Sequence, residues 1–202
     1  IYYEAEQSLT MPINEQIGWI TGSQVCYCAE AFQGVPREHP DAPALSVLAT
    51  VLRNGFLHTA IREKGGAYGA GATNDTSTNT FKFFSYRDPK CAETFVAFKD
   101  AIEWSKTSIT DQHLEEAILG VVSSIDKPLS PVGEAKNDFN FNLEDISIKE
   151  RLEMRQRVIN CSIKDLTRVC EKYLTQDSKK SILAGEAYRE EASSLGLSLR
   201  DV

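Results

Sequence analysis

The chain has 202 residues, 42% hydrophobic and 25% charged, ordinary values for a globular protein with a sizeable buried core. Its net charge is −7 and no block of Lys or Arg stands out. That argues against a nucleic-acid or anionic-membrane partner, because phosphate contacts supply most of that affinity. No apolar run approaches the roughly 18 residues that span a bilayer, and no signal peptide is visible. The first residue is Ile1 rather than Met, so a longer parent is expected. Five cysteines (Cys26, Cys28, Cys91, Cys161 and Cys170) form an odd, scattered set. They read as free thiols in a reducing intracellular compartment, cytoplasmic or organellar matrix.

Residues 1–23 are expected to be a linker, polar and irregular around Pro12, ahead of a single domain over 24–202. Gln24–Phe32 alternates and is rich in β-formers, so it predicts a strand. Within it Cys26 and Cys28 point to one face as small buried residues; no second Cys/His pair at ligand spacing turns them into a metal site. After the Pro-rich loop GVPREHPDAP, Asp41 is placed to cap a helix running to about Lys64, with Leu45, Leu48, Leu52, Phe56 and Ile61 on its buried stripe. Gly55 interrupts that helix, which implies a close packing contact or a bend. Gly65 and Gly66 fit its stop. Ala67–Thr73 and Thr80–Tyr86 predict an antiparallel hairpin around NDTSTN.

Further on, Ala92–Ser105 is an amphipathic helix on Phe95, Phe98 and Ile102. Thr110 caps another that carries Leu114, Ile118, Val121, Val122 and Ile125. Ser130–Asp145 is polar and dotted with aromatics, open between a helix and a loop. Ile148–Val158 and Ile163–Tyr173 are helical, the second capped by Ser162. SILAGEA is a buried strand, followed by a short helix and tail. This order gives an α+β fold, a mostly antiparallel sheet covered by helices on one face.

The stretch REKGGAYGAGATN, Arg62–Asn74, carries the functional question. A phosphate cradle needs strand, glycine turn, then helix, so that a helix N-terminus faces the phosphates. Here the glycines follow a helix and open a strand, and the phosphate reading fails. Arg62 in the last helical turn and Tyr68 on the new strand can instead project towards one space, where Gly65 and Gly66 leave the backbone open to a second chain. An arginine offers a fork of donors to carbonyls, and a tyrosine phenol can donate to a developing oxyanion. Each feature also has a local reading: the glycines as a C-cap, Arg62 as a complement to the helix dipole, Tyr68 as packing.

The combination RxxGGAYG followed by SYRDP resembles the C-terminal half of pitrilysin/insulinase-type zinc metallopeptidases, and within them the presequence-protease branch. FLHTAIREKGGAYGAG, FKFFSYRDPK, EAILGVVSSIDKPLSPVGEAKNDF and INCSIKDL extend the likeness over most of Gln24–Ala187. The resemblance implies a parent of four α+β domains in two halves that close around an unfolded peptide. In such a parent zinc lies in the first domain, on an inverted H-x-x-E-H motif, and a zinc-bound water activated by a glutamate attacks the scissile carbonyl. This chain resembles the last, non-zinc domain, and its end after SILAGEAYREE fits the family's C-terminus.

Arg62 and Tyr68 fall on the arginine and tyrosine that reach the substrate. The resemblance thus makes Tyr68 catalytic and Arg62, Tyr68, Gly65 and Gly66 substrate-binding, with the N-terminal half of the same polypeptide as partner. The chain itself has no H-x-x-E-H: His113-Leu-Glu-Glu116 stops at Ala117. His113 is expected on the solvated surface, and His39 and His58 have no partner at ligand spacing, so no metal site is assigned to this chain. Asn74-Asp-Thr and Asn160-Cys-Ser match the glycosylation pattern by chance. The competing class is a non-catalytic structural or peptide-guiding homologue, of the processing-peptidase-partner or core-protein type.

Overall fold

In a computed structural model, which describes residues 15–202, the alternating segments become six strands: β1 (Ile17–Thr21), β2 (Cys26–Gln33), β3 (Gly69–Asp75), β4 (Thr80–Asp88), β5 (Ser178–Gly185) and β6 (Ser198–Asp201). They form one sheet in the order β3-β4-β2-β5-β1-β6. The β3/β4, β4/β2 and β2/β5 ladders are antiparallel, and β1 runs parallel to both β5 and β6. The sheet is therefore mostly antiparallel, as the alternation implied.

The helices are α1 (Ala42–Glu63), α2 (Ala92–Thr107), α3 (Asp111–Ile125), α4 (Pro131–Leu143), α5 (Ile148–Ile159), α6 (Ile163–Tyr173) and α7 (Arg189–Ser194). Cys28 and Phe32 of β2, Phe81 and Phe83 of β4, and Ile182 and Ala184 of β5 point to one face, where they are buried. There they share a core with Leu45, Leu48 and Leu52 of α1, Phe95 and Phe98 of α2, and Leu166 and Val169 of α6. Phe83 and Phe98 stack with ring centroids 5.3 Å apart. The intervening residues Trp19, Tyr27, Phe84, Tyr86 and Leu183 form the opposite face.

Several boundaries differ from the sequence reading. The expected linker includes strand β1, which pairs with β5 and β6; residues 1–14 of that linker lie outside the described residues. The tail after α7 is strand β6. The open Ser130–Asp145 segment is mostly helix α4, capped by the Ser130 hydroxyl accepting from the Gly133 N–H at 3.2 Å; it buries no residue.

Helix α1 is 22 residues long and, by length and composition alone, apolar enough to cross a membrane. The sequence reading missed this because Arg53, Asn54 and His58 interrupt the apolar run. Much of its apolar surface is buried against the sheet, as in a core helix. Its second half, Arg53–Glu63, widens to π-helical hydrogen bonding, and the Lys64 N–H closes it on the Thr59 carbonyl at 3.0 Å. Gly55 in that stretch faces the Trp104 ring, where a Cβ would lie 2.6 Å from a ring carbon.

Candidate functional site

The site is the corner where α1 gives way to β3. Gly66 adopts φ +86°, the left-handed region that favours glycine. Its N–H donates to the Arg62 carbonyl at 3.0 Å and the Ala67 N–H to the Ile61 carbonyl at 3.1 Å, so carbonyls of the last turn are satisfied as the chain reverses. A methyl group on Gly65 would overlap the Ile61 carbonyl oxygen. The chain thus passes from Lys64 to Ala67 without a side chain in the turn.

Arg62 and Tyr68 flank this turn, but their immediate neighbours differ. Arg62 donates from Nη1 to Nε2 of His58 at 3.0 Å. Because a guanidinium can only donate, Nε2 accepts and the imidazole proton sits on Nδ1, 3.4 Å from Glu63 Oε1. Tyr68 lies just before β3 rather than on it, with its N–H donating to the Arg87 carbonyl at 3.2 Å. Its side chain is exposed, at 65%. The ring lies 5.7 Å from that of Tyr86, tilted by 60°. The Arg87 guanidinium sits 5.5 Å from its centroid.

The remaining glycines serve these aromatics. In the β3/β4 register Gly69 opposes Tyr86 and Gly71 opposes Phe84. A Cβ on Gly69 would run into the Tyr86 ring, and one on Gly71 would lie 3.0 Å from Phe84 Cζ. The Gly-Ala-Gly spacing therefore follows the strand period of two and lets two rings lie across β3.

Sequence reading missed Tyr86 and Arg87 as members of this corner. Cys28 pairs with Ser85, yet Cys26 pairs with Asp88, so β4 carries one extra residue there. Tyr86 and Arg87 together oppose Tyr27 in a β-bulge. Arg87 has φ +48°, a left-handed conformation that costs a non-glycine residue roughly 1–2 kcal/mol. Buried Asp88 pins the far side: it accepts from the Lys90 N–H at 3.0 Å and from the Thr94 hydroxyl at 2.7 Å. The available signal was the inward pattern of β4, which steps Phe81, Phe83, Ser85 and then skips to Asp88.

The histidines are engaged elsewhere. His113 is a capping residue rather than a solvated one: Nδ1 accepts from the Thr110 N–H at 3.2 Å, and the ring meets Trp104 at 5.2 Å. Nδ1 of His39 accepts from the Asp41 N–H at 3.0 Å. Among the described residues no group of three or more His, Cys, Asp or Glu is arranged to hold a metal. The donor set does not fit zinc, which takes three protein ligands in a hydrolytic site. Cys26 and Cys28 are buried next to Cys91; hydrogen bonding to Cys91 and burial push both thiols far above the usual range.

A family model described as "PreP C-terminal domain" matches residues 20–184. A mitochondrial presequence protease of Kluyveromyces lactis is 37% identical over 164 residues, 80% of this chain and 16% of its own length. That of Eremothecium gossypii is 39% identical over 157 residues, 77% of this chain and again 16% of its own length. Among solved structures, a protease from Helicobacter pylori superposes with TM-score 0.71 at 18% identity, over 86% of this chain and 45% of that one. A peptidase M16 inactive domain from Pseudomonas fluorescens gives 0.66 at 20% identity, over 85% and 43%. This chain spans about a sixth of the curated relatives it matches.

Proposed function

The chain belongs to the PreP C-terminal domain family of presequence-protease-type M16 peptidases, and we propose that it completes the substrate site of a zinc metallo-endopeptidase whose metal lies in another domain. In this reading the parent encloses unfolded peptides in a chamber formed with the N-terminal part of the same polypeptide. The relatives named mitochondrial support an organellar matrix as its location.

The observation that carries the reading is Tyr68: an exposed phenol at the end of a structured corner, whose hydroxyl makes no hydrogen bond among the described residues. When a peptide carbonyl is attacked, its oxygen gains negative charge. A phenol O–H aimed at that oxygen donates more strongly to the tetrahedral form than to the ground state, and therefore accelerates the step. Arg62 supplies donors to backbone carbonyls of the bound strand, and Gly65 and Gly66 keep the turn clear of side chains where that strand passes. Among the described residues the histidines and carboxylates supply no metal set, and in this reading the chain's part is binding and charge stabilisation.

In the full-length parent Tyr68→Phe is expected to lower kcat about 10²–10³-fold, roughly 2.7–4 kcal/mol, with a smaller change in KM and an unchanged melting temperature. Arg62→Ala should act mainly on KM. Steady-state kinetics with a fluorogenic peptide read both, and a Tyr68→Phe enzyme within twofold of wild-type kcat overturns the assignment. The second reading, a non-catalytic peptide-guiding homologue, is favoured by solved neighbours named as inactive domains. An H-x-x-E-H in the parent's upstream sequence decides for the enzyme.

A further inference from the structure

The geometry points to Tyr86 and Arg87 as positioning residues that hold the Tyr68 ring in place for its role at the substrate carbonyl. This inference rests on the reading of Tyr68 above. Two independent observations carry it.

The first is the backbone of Arg87. Among the described residues three non-glycine residues have positive φ: Asn79, Asp145 and Arg87. Asparagine and aspartate enter the left-handed region readily because their short polar side chains bond locally. Arginine has no such compensation, and a glycine would serve the bulge better if only the bend were needed. Among the described residues the guanidinium makes no ion pair and no hydrogen bond. What it does have is the face of Tyr68, 5.5 Å away. The side chain, then, is what the strained position provides. The second observation is Gly69. Its missing Cβ is the space that the Tyr86 ring occupies, and this places Tyr86 beside Tyr68 at 5.7 Å. The Arg87 carbonyl holds the Tyr68 N–H from the same bulge.

An exposed tyrosine ring samples several rotamers. Contacts from an aromatic on one side and a cation on another restrict that sampling, and a preorganised donor loses less on reaching the transition state. Neither residue needs to touch the substrate.

The test uses the full-length parent and compares Tyr68→Phe, Tyr68→Ala, Arg87→Gly, Arg87→Lys and the Tyr68→Ala/Arg87→Gly pair. Arg87→Gly removes the cation and relieves the backbone, so kcat should fall about fivefold or more while the melting temperature stays equal or rises. Arg87→Lys, which keeps a cation above the ring, should retain most of the activity. In the Tyr68→Ala background Arg87→Gly should add no further loss. A loss that tracks a lowered melting temperature means a merely structural role and overturns the inference. An Arg87→Gly enzyme with unchanged kcat beside an impaired Tyr68→Phe enzyme overturns it alone. Both variants unchanged overturn the Tyr68 assignment as well. An impaired Arg87→Gly enzyme beside an unchanged Tyr68→Phe enzyme shows Arg87 acting without the phenol, and also overturns it.

Discussion

Two adjacent glycines at the corner do different work, and single substitutions separate them. Gly66 needs its positive φ and meets only Pro89 Cγ, where a Cβ would sit 3.5 Å away. Gly66→Ala should therefore cost about 1–2 kcal/mol through backbone strain. Gly66→Asn should cost less, since asparagine tolerates the left-handed region. Gly65 has no unusual φ, but any Cβ there meets the backbone oxygen of Ile61, which cannot rotate away. Gly65→Ala should cost about 1–3 kcal/mol through overpacking, and Gly65→Asn no less. Urea unfolding of the four variants reads the pattern: asparagine rescue at 66 only. Equal losses for Ala and Asn at 66 would remove the left-handed requirement from the account. Activity adds a further axis, because a corner that serves only as a helix stop would lose stability without losing kcat in proportion.

At the scale of elements, Asp41 ties the start of α1 to α6. It offers no side-chain bond to its own helix. Its carboxylate instead accepts from Arg168 at 2.7 Å, Lys172 at 2.8 Å and the Tyr173 hydroxyl at 2.7 Å. Burial acts to raise the Asp41 pKa, but these bonds outweigh it and hold the group well below the ordinary 3.8. The folded state therefore binds its proton more weakly than the unfolded state. The contribution is fully present above about pH 4 and is lost as pH falls through the lowered folded value. The partner side chains of Arg168 and Lys172 are about half exposed, so Asp41→Asn should cost about 1–2 kcal/mol at pH 7 and flatten the acid limb of stability against pH. An acid limb unchanged in the variant would show that other carboxylates set it. This tie was invisible in sequence, where Asp41 read as a helix cap, because its partners lie some 130 positions away. Legibility elsewhere followed the same rule. Alternation in CYCAEAF and TFKFFSY exposed the central strands, and the stripe from Leu45 to Ile61 exposed α1. Helix α4 buries nothing and so shows no stripe, while β1 and β6 are too short for a period to register. Arg62 and Tyr68 stood out as site residues, whereas Tyr86 and Arg87 stood out only within SYRDP and not as members of the corner, because a bulge is a register event between strands.

At the scale of the described molecule, one apolar surface and one exposed corner stand apart from the core. Val132, Phe139, Leu143, Ile148 and Leu152 lie exposed along α4 and α5, an apolar concentration typical of interfaces rather than of a free surface. The curated relatives are about six times longer than the matched stretch. The fold holds an exposed phenol and an arginine at one corner but, among the described residues, no metal donors in a ligating arrangement. We therefore expect the isolated chain to bind no zinc stoichiometrically and to cleave no peptide. The sequence's nearest approach to the H-x-x-E-H pattern is His113 with Glu116, and His113 Nδ1 already accepts from the Thr110 N–H. Binding a metal through that nitrogen would break the cap, a loss of about 0.5–2 kcal/mol of helix stability, with too few further ligands to offset it. Equilibrium dialysis against micromolar zinc, followed by elemental analysis, should find well under one metal per chain, with no change on His113→Ala. One tightly held zinc per chain, lost in that variant, would place a metal site in this domain and overturn the division of labour. Peptide hydrolysis by the isolated chain that persists in the Tyr68→Phe variant would overturn it by another route, since the chemistry would then need neither the rest of the parent nor the phenol.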